Sequence, residues 1–168
     1  ILMDGLNSLE ERKVDHGGAI GTSKDSLSLH VTVEFEDVDS FHIAHHTRLI
    51  AYLERARLRL LASFGIDLLG LGLAPVVYEL HLRFRKPARL MDQLEVSVFV
   101  REFDDFHLGL GYRVLNQGET LLRARSVIAF ADLVDGTVRP LPDGLRRALN
   151  TAQHSKDLEE RIAERTTE

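Results

Sequence analysis

At 168 residues and 44% hydrophobic content, the chain suits one domain around a single core, with little left over for a second. Its 21 Lys and Arg are scattered among 26 Asp and Glu, for a net charge of -5, which argues against general nucleic-acid binding because a basic stripe for phosphate-backbone contact is missing. The absence of cysteine removes disulfides, thiolate nucleophiles and cysteine-held zinc, and fits a reducing cytoplasm.

Residues 1–26 are polar, carry Gly17-Gly18 and Gly21-Thr22-Ser23 without a sustained period, and read as a flexible lead-in. They show no basic stretch followed by an apolar run, so no signal peptide is expected. Ser28 to Phe35 alternates by two as a strand does. Leu49, Leu53, Ala56, Leu60 and Phe64 then recur at the three-to-four spacing of one helical face. The weakly charged stretch from Leu60 to Tyr78 approaches the length of a membrane span, but Gly65, Gly70, Gly72 and Pro75 interrupt it, and no span is expected.

Four further strands are predicted at about 75–88, 93–103, 106–116 and 119–134, separated by turn signals such as Asn116-Gln117-Gly118 and Asp135-Gly136. On the second strand, Val76, Tyr78, Leu80, Leu82 and Phe84 form the apolar face expected to pack on the helix. Leu68 to Val77, with Phe99, Phe103 and Phe106, are expected to be chiefly core. Gly144 to Ala152 can form a short helix, and residues 151–168 read as a charged tail. The expected organisation is a lead-in over 1–26, an α+β domain over 27–150 and that tail.

The chemistry concentrates between the first strand and the helix, in Asp37-Val38-Asp39-Ser40-Phe41-His42-Ile43-Ala44-His45-His46-Thr47. A strand delivers Asp39 to a helix mouth, where unpaired N–H groups and the helix dipole can polarise a carbonyl while the carboxylate attacks it or activates water. An aspartate ahead of a helix can also simply cap it, the role expected of Asp37. His42 and His46 are four apart, a spacing that can chelate a metal on a helix, but the familiar His-Glu-x-x-His arrangement is missing and no metal is expected. Glu54 and Arg57, three apart, form an intrahelical ion pair by default. Arg55 and Arg59 share a face that can meet phosphates or an acidic protein.

The run Glu36-Asp37-Val38-Asp39, then Ile43-Ala44-His45-His46, then Leu53-Glu54-Arg55-Ala56-Arg57 resembles the 4-hydroxybenzoyl-CoA thioesterase family of hotdog-fold proteins, especially its bacterial acyl-CoA thioesterase branch. That resemblance implies a hotdog fold: an antiparallel sheet of about five strands wrapped around one long central helix. It implies hydrolysis of an acyl-CoA or acyl-carrier-protein thioester with no cofactor, in a homodimer or homotetramer whose sites lie at the subunit interface. Asp39 would then be the base or nucleophile and the backbone N–H of His46 the oxyanion donor, with His42, His45, Glu54 and Arg57 as substrate-contacting candidates. The alternatives are a non-catalytic acyl-thioester binding or regulatory module and another hotdog enzyme such as a dehydratase.

The chain departs from the family pattern in carrying Phe41 and His42 where glycines are usual, and Leu49 where a tyrosine is usual. At the turn where some relatives hold the CoA phosphates with basic residues, it reads Phe103-Asp104-Asp105-Phe106, so a weak grip on the nucleotide is expected there.

Overall fold

The helical spacing from Leu49 onward closes into a helix, α1, over His46–Ser63. A computed structural model describes residues 19–23 and 25–166, with side chains placed from Asp25 to His154. Leu49, Leu53, Ala56 and Leu60 are all buried on one face of α1, joined there by Tyr52 and Leu61. Burying each large apolar side chain contributes about 1.5–3 kcal/mol, which holds the helix against the sheet.

The strands are β1 (Ala19–Ser23), β2 (Ser26–Thr32), β3 (Leu73–Phe84), β4 (Gln93–Phe103), β5 (His107–Asn116), β6 (Glu119–Asp132) and β7 (Val138–Arg139). They form one antiparallel sheet in the order β1-β2-β4-β5-β6-β3, with β7 paired to β6. Leu94, Val96 and Val98 of β4 and Leu108, Leu110, Tyr112 and Val114 of β5 are buried with the α1 face in a single core. This is the hotdog arrangement, a long helix wrapped by an antiparallel sheet.

The five expected strands are present, and two short ones extend the sheet. β1 comes from the segment read as a lead-in; residues 1–18 and 24 of that segment lie outside the described residues. The β5–β6 hairpin turns through Gln117 and Gly118, both at positive φ (49° and 83°), the pair of left-handed residues that a two-residue hairpin of matching twist requires.

The C-terminal helix, α2, runs over Asp143–Thr166 and so takes in most of the segment read as a charged tail. It is anchored where it is apolar: Leu145, Leu149 and Ala152 are buried, Leu145 and Leu149 in the main core with Leu141 just ahead of the helix. Arg146 pairs with Asp105 at the β4–β5 turn, fixing α2 against the sheet.

The apolar face of β3 differs from simple alternation. The β3–β6 register shifts between Val77 and Glu79, so Val77 (opposite the buried Ile128) and then Leu80, Leu82 and Phe84 point to the helix side. Tyr78 is the extra residue of the bulge and is 67% exposed. The expected core also loses Leu69, Leu71, Val76, Val77, Phe99 and Phe106, which are exposed. Phe99 lies on the outer sheet face, which no element of this chain covers among the described residues, and periodicity cannot tell a covered sheet face from an open one.

Candidate active site

The chain between β2 and α1 is a closed structure built on backbone hydrogen bonds. Phe35–Asp37 forms one 3-10 turn, after which Val38 bridges Ala44 and Asp39 N–H donates to the Ile43 carbonyl at 2.9 Å. His45 N–H donates to the Asp37 carbonyl at 2.8 Å, so residues 37 to 45 make a small hairpin. Ala44 N–H donates to the Ala88 carbonyl at 2.8 Å and Ile43 bridges Arg89, which docks the hairpin onto the segment after β3.

Within the hairpin the two aspartates have different jobs. Asp37 is buried; its Oδ2 accepts from Tyr52 Oη at 2.6 Å and from Glu34 N–H at 3.0 Å, and its Oδ1 lies 3.6 Å from Arg48 Nε. That is the turn-shaping role expected of it. Burial, and then the neighbouring Asp37 carboxylate, push the Tyr52 phenol well above its ordinary value, so it stays a donor throughout the neutral range.

Asp39 is half-buried, and its Oδ1 accepts from Phe41 N–H at 2.8 Å in an Asx turn. Its Oδ2 has no hydrogen-bond partner among the described residues. The turn is completed at His42, which sits at φ 59°, in the left-handed region that favours glycine. The family's usual glycine thus has a physical reason at this position, and the imidazole that replaces it is exposed.

His45 is the N-cap of α1: its Nδ1 accepts from Thr47 N–H at 3.4 Å and lies 2.8 Å from Thr47 Oγ1, and its ring stands 4.2 Å from the ring of His46. The imidazole is therefore engaged in capping. The N–H of His46, first residue of the helix, has no acceptor among the described residues and carries the positive end of the helix dipole. His42 lies outside the helix, so the four-residue spacing to His46 does not place both imidazoles on one helical face; among the described residues no three His, Cys, Asp or Glu side chains gather as a metal site would require.

Glu54 and Arg57 form the expected ion pair, Arg57 Nη2 to Glu54 Oε1 at 3.4 Å. They lie about 12 Å and 16 Å along the helix axis from His46, so the chain does not bring them to Asp39. Instead they line a cavity of about 100 Å³ between α1 and the sheet, with Ile50, Leu53, Val77, Leu80 and Tyr112. Arg57 is buried and its Nε has no hydrogen-bond partner among the described residues. A second, open depression of about 280 Å³ lies on the outer sheet face, lined by Tyr78, Glu79, Glu102, Asp104 and His107 among others. Neither hollow includes Asp39, which is half-buried, or His46, which is exposed.

At the acidic turn, Asp104 accepts from Phe106 N–H and His107 N–H, both at 2.7 Å, and these bonds hold its carboxyl below the usual range. With Asp105 paired to Arg146 and Asp104 lying 3.1 Å from His107 Nδ1, the basic groups at this turn are already engaged. The residue that sequence reasoning missed is Tyr52, whose bond to Asp37 fixes the hairpin to α1. Its only signal was a position three residues past Leu49 on the buried face.

Comparison with known proteins gives a family match over residues 33–149, to the thioesterase-like superfamily. The acyl-CoA thioester hydrolase YbgC of Escherichia coli O157:H7 is 29% identical over 119 residues, covering 68% of this chain and 89% of that protein. The 1,4-dihydroxy-2-naphthoyl-CoA hydrolase of Thermosynechococcus vestitus is 28% identical over 126 residues, covering 72% and 86%. Among solved structures, the DHNA-CoA thioesterase of Staphylococcus aureus superposes with a TM-score of 0.74 over 80% of this chain and 95% of that one, at 15% identity, a likeness of fold.

Proposed function

The chain belongs to the thioesterase-like superfamily, and from that premise we propose that it hydrolyses acyl-CoA thioesters with Asp39 as base or nucleophile and the His46 N–H as oxyanion donor. The observation that carries the assignment is the contrast between the two aspartates. Both oxygens of Asp37 are engaged by Tyr52, Glu34 and Arg48, while Asp39 is held by one bond and keeps Oδ2 available. An N–H at a helix start, free of an intrachain acceptor, is where the thioester oxygen would gather negative charge.

In this reading the carboxylate either attacks the carbonyl carbon, giving a mixed anhydride that water then opens, or takes a proton from the attacking water. The thiolate of the carrier leaves in both cases. His42, exposed at the tip of the same turn, would touch the substrate near the scissile bond, and His45 would act through its cap. The Glu54–Arg57 cavity, with its apolar walls, would take part of the acyl group.

The edge strand β3 supports a homodimer or homotetramer, because a second copy laid along β3 would cover Val76, Tyr78 and Phe84. No metal or organic cofactor enters the scheme. Steady-state turnover of a panel of acyl-CoA, acyl-pantetheine and acyl-carrier-protein thioesters tests the proposal, with EDTA expected to leave the rate unchanged. Binding of these thioesters without turnover would overturn it in favour of a sensing module.

A further inference from the structure

The strand register gathers cations on the outer sheet face. Ser97 of β4 lies opposite Arg113 of β5, Arg113 opposite Arg123 of β6, and Arg123 opposite Arg83 of β3. In the next row on that face, Phe99 lies opposite Gly111, Gly111 opposite Arg125, and Arg125 opposite His81. Arg83, Arg113, Arg123 and Arg125 are exposed, and none has a carboxylate within ion-pair distance among the described residues.

Like charges directly opposite one another destabilise a sheet. A bound anion would relieve that repulsion, and the row concentrates positive charge in a chain whose net charge is -5. Neighbouring strands put directly opposite residues about 5 Å apart, so the three arginines of one row span about 10 Å, the reach of several phosphoryl groups on one small molecule. Guanidinium groups bind phosphate through two parallel N–H bonds. The carboxylates on this face have partners other than the four arginines: Glu79 lies 3.5 Å from His81, Glu102, one row past Phe99 and across Gly109, lies 3.6 Å from Arg101, and Glu95 accepts from Ser97 Oγ at 3.3 Å.

Beside the row lies an aromatic surface. Phe99 is 36% exposed, and its ring lies so closely across Gly111 that a Cβ there would fall 2.4 Å from Cε2. A flat ring next to Arg125 is a stacking platform for a purine base. The row sits near the end of β3 that receives the catalytic hairpin, where Ala44 N–H binds the Ala88 carbonyl.

We propose that this face, built by Arg83, Arg113, Arg123, Arg125 and Phe99, is the site for the 3′-phosphorylated ADP portion of coenzyme A, with the phosphates on the arginine row and the adenine on Phe99. The proposal rests on the thioesterase reading for the identity of the carrier. It supplies the cationic grip that Asp104 and Asp105 deny at the β4–β5 turn, and the pantetheine arm would then pass the end of β3 beyond Phe84, where the hairpin docks, toward Asp39.

Calorimetric titration with CoA, adenosine 3′,5′-bisphosphate and inorganic pyrophosphate, alongside kinetics on matched acyl-CoA and acyl-pantetheine thioesters, tests it. Arg113→Gln/Arg123→Gln is expected to weaken CoA and adenosine 3′,5′-bisphosphate at least tenfold, to raise KM for the CoA thioester by the same factor, and to leave KM for the pantetheine thioester in place. Phe99→Leu is expected to weaken both adenosine ligands several-fold without affecting pyrophosphate. If the double variant misfolds, Arg125→Gln carries the same expectation at smaller size.

Unchanged CoA affinity in these variants, or equal losses on both thioesters, overturns the proposal. So does a loss confined to an acyl-carrier-protein substrate, which would mark the face as a dock for an acidic protein. Equal binding of pyrophosphate and the adenosine ligands, insensitive to Phe99, would reduce it to a bare anion site and overturn the nucleotide assignment. The titrations need no turnover, so a protein that hydrolyses nothing but binds CoA through these residues would refute the hydrolase reading and leave this site standing.

Discussion

Tyr52 Oη donates a 2.6 Å hydrogen bond to Asp37 Oδ2, joining the buried face of α1 to the hairpin that carries Asp39. Tyr52→Phe keeps the ring and removes the donor, leaving a buried carboxylate short of one partner. A loss of about 1–3 kcal/mol in unfolding free energy is expected, with a drop in kcat as the hairpin loosens. Because the phenol is pushed above its ordinary value in the folded state, its contribution is complete below about pH 10 and is lost as pH rises beyond it. Denaturant melts should therefore show an alkaline decline in the parent that Tyr52→Phe lacks; parallel pH profiles would contradict the bond.

Asp39→Asn tests the reacting carboxylate. Asparagine retains an oxygen that can accept from Phe41 N–H, so the Asx turn and the fold are expected to survive. Removal of the charge should lower kcat on an acyl-CoA thioester by about 10² to 10⁴. Full activity in a folded Asp39→Asn would move the chemistry elsewhere, first to Glu54.

The helix, the five long strands and the special character of the hairpin were legible because each is a local pattern. Alternation marks β2 to β6, three-to-four spacing marks α1, and Asp-x-Asp before a helix marks a cap and a candidate base. What escaped was set by pairing between distant segments. The bulge that turns Tyr78 outward is a register property of β3 against β6, and the arginine row exists only once three strands are aligned. Phe99 reads as core from its residue type, yet the face it occupies is uncovered. Tyr52 meeting Asp37 across 15 residues is likewise a tertiary contact.

His42 separates strain from binding. At φ 59° a non-glycine residue costs roughly 1–2 kcal/mol, while glycine costs about 0.5–1 kcal/mol of unfolded-state entropy. His42→Gly should therefore leave stability within about 1 kcal/mol of the parent, whereas the β-branched His42→Val should destabilise by more. If the imidazole contacts substrate, His42→Gly raises KM despite an intact fold. Unchanged KM and kcat would restrict His42 to the turn.

The β3 edge carries the prediction about assembly. β3 is twelve residues long, ends one side of the sheet, and exposes Val76, Val77, Tyr78, Leu80 and Phe84. A long apolar edge with unpaired backbone groups is a template for another strand, and lysine on such an edge blocks pairing. Light scattering at micromolar concentration should give a dimer or larger, and Val76→Lys/Tyr78→Lys should shift it to monomer. If the site lies at the subunit interface, the same variant should lose activity in step with the loss of assembly, and raising its concentration should recover both together. A monomeric parent with full turnover would show that one chain completes the site alone.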